Sequence, residues 1–186
     1  MSTQIVLAAK HQTSESTISN DASDSIALHV ASQKEYFQSE VTKSIEFRIQ
    51  QLRRLKKLIR QYEDDLLEAL HKDLGRSHME SYMSEFMLVI NEINYSIKKL
   101  KNWAKPKFVD NNFFLKPAKS KIYYEPFGVC LILSPWNFPV LLSIRPIISA
   151  LSAGNCVTLK CSEATPHVND IMKTMINEHF PQEYLD

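Results

Sequence analysis

Glycine is scarce in this chain: three in 186 residues, at Gly75, Gly128 and Gly154. With no two close together, a Gly-x-Gly-x-x-Gly phosphate loop is excluded, and each glycine is left to an element boundary. No apolar run approaches the roughly 20 residues of a membrane helix. The stretch Ile5-Val6-Leu7-Ala8-Ala9 is too short for a secretory core, and His11-Gln12-Thr13-Ser14-Glu15 follows it in place of a cleavage site. Arginine is absent before Arg48 while acidic residues are present, which argues against a mitochondrial presequence. Charge excess is also missing, since 22 Lys+Arg against 21 Asp+Glu leave +1 and no global pull toward nucleic acid. The three cysteines, Cys130, Cys156 and Cys161, are too few and too oddly numbered for a disulfide framework. Two of them sit in apolar, strand-like runs, so reduced thiols and a cytoplasmic location are expected. No zinc spacing occurs, and His71, His78, His167 and His179 are scattered.

What is present reads as a soluble globular protein, 44% apolar and 23% charged. Residues 1–30, rich in Ser, Thr, Asn and Asp without lasting periodicity, are expected to form a flexible leader. Residues 31–105 form a helical lead-in. Ile45, Ile49, Leu52, Leu55, Ile59, Tyr62, Leu66 and Leu70 step by three or four along one stripe that Gly75 ends. Met79, Tyr82, Phe86, Ile90, Ile93, Ile97 and Leu100 form a second stripe, limited by Pro106. The basic cluster Arg53-Arg54, Lys56-Lys57 and Arg60 shares a helix with the first stripe and precedes Glu63-Asp64-Asp65, so it reads as a solvated face. Residues 106–126 read as an extended ribbon, with strand propensity at Lys119–Tyr124 and turn signals at Asp110-Asn111-Asn112 and Pro117.

From 127 to 186 the pattern becomes β-α-β-α. Val129 to Leu133 is a continuous apolar run, expected of a strand covered on both faces. Leu141 to Ala153 is helical, and Pro146 should kink that helix or delay its start. Gly154-Asn155 turns the chain into a second strand ending at Leu159. Thr165-Pro166 then reads as an N-cap and first-turn proline for a helix reaching Phe180. A right-handed crossover makes the two strands parallel. Ligands of such sheets gather beyond the strands' carboxyl ends, where Asn137, Lys160 and Glu163 lie.

Glu125-Pro126-Phe127-Gly128-Val129, Pro135-Trp136-Asn137-Phe138-Pro139, Ala153-Gly154-Asn155 and Lys160-Cys161-Ser162-Glu163 resemble consecutive signatures of the aldehyde dehydrogenase superfamily. Upstream, Arg48-Ile49-Gln50-Gln51-Leu52, Leu58-Ile59 and Leu70-His71-Lys72-Asp73-Leu74 resemble its class 3 and fatty aldehyde branch. The resemblance spans about Val41 to Asp186. It implies an α/β fold: amino-terminal helices, then the start of a Rossmann-like parallel sheet, so that residues 127–186 are the first part of an NAD(P)-binding domain. It also implies oxidation of a small-molecule aldehyde to a carboxylate with NAD or NADP, with a cysteine nucleophile and a glutamate base.

Residue by residue, Asn137 matches the asparagine whose amide stabilises the oxyanion. Lys160 and Glu163 match the pair that contacts the adenosine ribose, and Ser134 and Trp136 match positions lining the cofactor cleft. Plainer roles exist for each: a turn-forming asparagine, a solvated lysine, a first-turn glutamate, a core tryptophan. Cys161 departs from the family's usual proline, which could loosen the turn presenting Lys160 and Glu163. None of the three cysteines has the nucleophile's context. The phosphate loop, nucleophile and base implied by the resemblance are not in this sequence, so an amino-terminal fragment, inactive and poorly stable alone, is expected. Two other readings stay open: a non-catalytic binding or subunit-interaction module, and a helical interaction protein. By the resemblance a longer form would dimerise, and the sequence leaves membrane association open.

Overall fold

In the computed structural model, residues 20–186 are described. The first helix, α1 (Asn20–Gln38), corrects the boundary of the expected leader: residues 20–30 are helical, and 1–19 lie outside the described residues. Its anchoring is largely polar, which explains why no apolar period announced it. The Gln33 amide donates to Val157 O at 3.1 Å, its carbonyl oxygen accepts from Thr158 Oγ1 at 2.9 Å, and Tyr36 packs against Tyr184.

The first apolar stripe forms two helices, α2 (Ile45–Gln61) and α3 (Glu63–Leu74), joined through Tyr62. Ser44 caps α2 by accepting from the Phe47 amide. Leu52, Leu55, Ile59, Leu66 and Leu70 have no exposed surface, and each such side chain contributes about 1.5–3 kcal/mol by leaving water. Gly75 (φ 68°) ends α3 in the left-handed conformation, its amide donating to His71 O, as the sequence predicts.

The second stripe runs through α4 (His78–Ser81), a π-helical turn (Tyr82–Phe86) and α5 (Met87–Trp103). The wide turn buries Glu85 completely. Strands β1 (Lys107–Val109) and β2 (Ser120–Ile122) then pair antiparallel as the expected ribbon, all of their residues exposed.

Strands β3 (Val129–Leu133) and β4 (Cys156–Lys160) pair in parallel with Val129 opposite Cys156 and Leu133 opposite Lys160. Between them runs α6 (Pro139–Ala153), and α7 (Pro166–Asn177) follows. A bridge from Val157 to Leu185 adds a parallel contact on the far side of β4. Helix α6 packs on both strands and on α2 and α5, while α7 packs on α3.

Four expectations need correcting here. Strand β3 is covered on one face only, because Leu131 and Leu133 are exposed. Pro146 does not delay α6, which starts at Pro139 and contains it. Helix α7 ends at Asn177 rather than Phe180. Thr165 provides no side-chain cap for α7. Asp73 of α3 does so instead, accepting from the amides of Val168 at 2.9 Å and His167 at 3.3 Å.

Candidate active-site edge

The β3–β4 ladder extends one step past β3, where the Ser134 amide donates to Lys160 O at 2.9 Å. Both strands therefore stop side by side, and everything that follows them emerges on one edge. At the turn's other end, Asn155 closes the β-α-β unit, its side chain accepting from the Gly128 amide at 2.9 Å and donating to Ala150 O at 3.2 Å.

After β3 the chain crosses Pro135, Trp136, Asn137 and Phe138 to reach Pro139 at the start of α6. Ser134 is buried; its amide is used in the ladder, and its hydroxyl lies 2.7 Å from Ser143 Oγ. It can fix the turn but has no idle donor to offer a ligand. Trp136 is 56% exposed, so it is not a core residue among the described residues. Asn137 is exposed, and its carboxamide forms no hydrogen bond with the described residues, while its carbonyl accepts from Arg76 Nη2.

After β4, Lys160 and Glu163 are exposed and form an ion pair with each other. The Lys160 ammonium holds the Glu163 carboxyl below its ordinary range. Glu163 precedes α7 rather than occupying its first turn. The Cys161 departure leaves the pair intact, since Lys160 and Glu163 still meet across it. The pair suits a polyhydroxylated ligand, the carboxylate accepting and the ammonium donating, so the donor set fits a dinucleotide ribose. Next to Cys161, a hollow of about 310 Å³ is lined by Leu159, Cys161 and Met172 and by the charged Asp170, Lys173 and Asp186. A larger cavity of about 560 Å³ lies elsewhere, between the ends of α5 and α6 and the ribbon.

Burial pushes all three thiols upward, Cys156 to about 12. None presents a thiolate at neutral pH, consistent with the absence of a nucleophile's context around each. Among the described residues, no group of three or more His, Cys, Asp or Glu could hold a metal ion.

The residues with no sequence signal are those that hold the Asn137 turn. Glu85 Oε2 accepts from the Val140 and Leu141 amides, both at 2.9 Å, and Glu85 Oε1 lies 2.8 Å from Arg76 Nη1. Arg76 also stacks on Phe138, 4.5 Å from the ring centre.

Most of this chain matches known proteins. The profile of the aldehyde dehydrogenase family matches residues 3–186. The chain is 44% identical over 153 residues to 4,4'-diaponeurosporen-aldehyde dehydrogenase of Staphylococcus aureus, covering 82% of this chain and 33% of that protein. It is 36% identical over 147 residues to a dimeric NADP-preferring aldehyde dehydrogenase of Canis lupus familiaris, covering 79% and 32%. A substrate-bound structure of Staphylococcus aureus AldH superposes with a TM-score of 0.85 at 42% identity, covering 87% of this chain and 35% of that one. The chain thus spans about a third of the length of these relatives. The match of the family profile across residues 3–186 shows that the chain belongs to the aldehyde dehydrogenase family.

Proposed function

We propose that this chain supplies the oxyanion donor and part of the dinucleotide-binding edge of an NAD(P)-dependent dehydrogenase that converts an aliphatic aldehyde to its carboxylate. The observation that carries the reading is the uncommitted carboxamide of Asn137, exposed beside the ends of β3 and β4. As a thiolate adds to an aldehyde, negative charge gathers on the carbonyl oxygen, and a fixed N–H donor there lowers the barrier. Asn137 is that donor, held at its main-chain carbonyl by Arg76, with its carboxamide unbonded among the described residues. Lys160 and Glu163 bind ribose hydroxyls by exchanging their mutual ion pair for contacts with the ligand. Trp136 offers an exposed indole face along the same edge. Bound at this edge, a nicotinamide dinucleotide would supply the hydride acceptor, while Lys160 and Glu163 would hold its ribose and Asn137 would stabilise the oxyanion.

The class of aldehyde rests on the relatives' branch, and a fatty or other long aliphatic aldehyde is the substrate we favour. Glu163 favours the free ribose hydroxyls of NAD, because a 2′-phosphate would bring like charge to its carboxylate. The three free thiols favour a reducing, cytoplasmic location. Alone, the 186-residue chain should not turn over, because its thiols lack nucleophile character. The test is formation of reduced nicotinamide, read by absorbance, with a panel of aldehydes and a full-length form of the enzyme. Turnover with Glu163→Gln raising the cofactor KM about tenfold and leaving kcat unchanged is expected. No turnover by the full-length form with any aldehyde would overturn the reading.

A further inference from the structure

The turn that presents Asn137 is held by two residues from elsewhere in the chain. Glu85, on the π-helical turn, is completely buried. One of its carboxylate oxygens takes both the Val140 and Leu141 amides at 2.9 Å, the first free donors of α6. The other lies 2.8 Å from Arg76 Nη1. The second guanidinium arm of Arg76 donates to the carbonyl of Asn137, and its flat face covers Phe138 at 4.5 Å. One carboxylate and one guanidinium thus fix the main chain at residue 137 and again at 140 and 141. Only the side-chain torsions of Asn137 remain free.

A carboxylate buried solely to cap α6 would need no arginine fork, and an arginine present solely to neutralise Glu85 would need no bond to Asn137. Only a planar guanidinium can serve both partners at once; a lysine ammonium supplies a point charge without a fixed second arm. The π-helical turn is a further sign, since such turns recur where a side chain must be aimed. We infer that Arg76 and Glu85 are positioning residues for the oxyanion donor, acting through the main chain of Asn137. The inference rests on the proposed role of Asn137 and adds the device that aims it.

The test is a double-mutant cycle in a full-length form of the enzyme, joining Arg76→Lys to Asn137→Ala. Arg76→Lys keeps a charge for Glu85, so the fold is retained, and it removes the grip on residue 137. It should lower kcat about 10- to 100-fold with the KM values for aldehyde and cofactor unchanged. In the Asn137→Ala background the same change should cost less than about twofold, because no donor remains to be misplaced. An unchanged kcat in Arg76→Lys, or the same loss in both backgrounds, would overturn the inference and leave the role of Asn137 standing. A normal kcat in Asn137→Ala alone would instead overturn that role, and the inference with it.

Discussion

Gly154 and Gly75 both occupy positive φ, at +94° and +68°, and their surroundings differ completely. A Cβ on Gly75 would meet nothing within 4 Å, so Gly75→Ala should cost only backbone strain, about 1–2 kcal/mol. A Cβ on Gly154 would lie 2.6 Å from Arg48 Nη2, 2.7 Å from Cζ and 2.8 Å from Nε. The Arg48 guanidinium is not free to retreat. It donates to Thr42 O at 2.7 Å, Lys43 O at 3.0 Å and Ser152 O at 3.3 Å. Displacing it breaks at least one charge-assisted bond worth about 1.5–3 kcal/mol. Strain and displacement together put Gly154→Ala at about 2.5–5 kcal/mol. With a urea slope of about 2 kcal/mol per molar, the midpoint should fall by roughly 1.25–2.5 M, against roughly 0.5–1 M for Gly75→Ala. In an Arg48→Met background the cost of Gly154→Ala should drop to the Gly75 level. Equal midpoint shifts for the two glycines in the parent chain would refute the reasoning.

Asp73→Ala removes the acceptor for the Val168 and His167 amides and should destabilise by about 1–2 kcal/mol, with faster hydrogen exchange at Val168; unchanged exchange there would contradict the cap. Because burial raises all three thiols, alkylation of the folded chain at pH 7.5 should be slow, slowest at the fully buried Cys156, and should quicken as pH rises; rapid modification of Cys156 by mass spectrometry would contradict this. The exposed Leu131 and Leu133 should make the isolated chain self-associate, and Leu131→Lys with Leu133→Lys should raise the monomer fraction in light scattering; a monodisperse parent monomer would count against it.

The parts legible in the sequence are those written in local chemistry. The stripes through Leu52 and Leu66, the Gly75 stop and the β-α-β-α run from Val129 show as periodicity or punctuation. The expected helical lead-in reaches only the second half of α1; residues 20–30 carry no apolar stripe, and polar groups dock the helix, Gln33 on Val157 and Thr158 and His29 near Thr158. The Thr165-Pro166 pair reads as the cap of α7 because local N-caps are the commoner device, whereas Asp73 reaches it from far along the chain. Buried Glu85 was illegible for the same reason: within an apolar stripe a glutamate reads as solvated until Arg76 and the α6 amides are seen around it. At the site, the strand-end positions of Asn137, Lys160 and Glu163 follow from the β-α-β pattern. The engagement of the Ser134 hydroxyl with Ser143, and the Arg76 grip on residue 137, required the fold.

The most direct measurement replaces the proposed donor itself. In single-turnover experiments on a full-length form, Asn137→Ala should slow hydride transfer by about 10²- to 10³-fold while cofactor affinity stays within a factor of two. Hydride transfer at the parent rate would contradict the account.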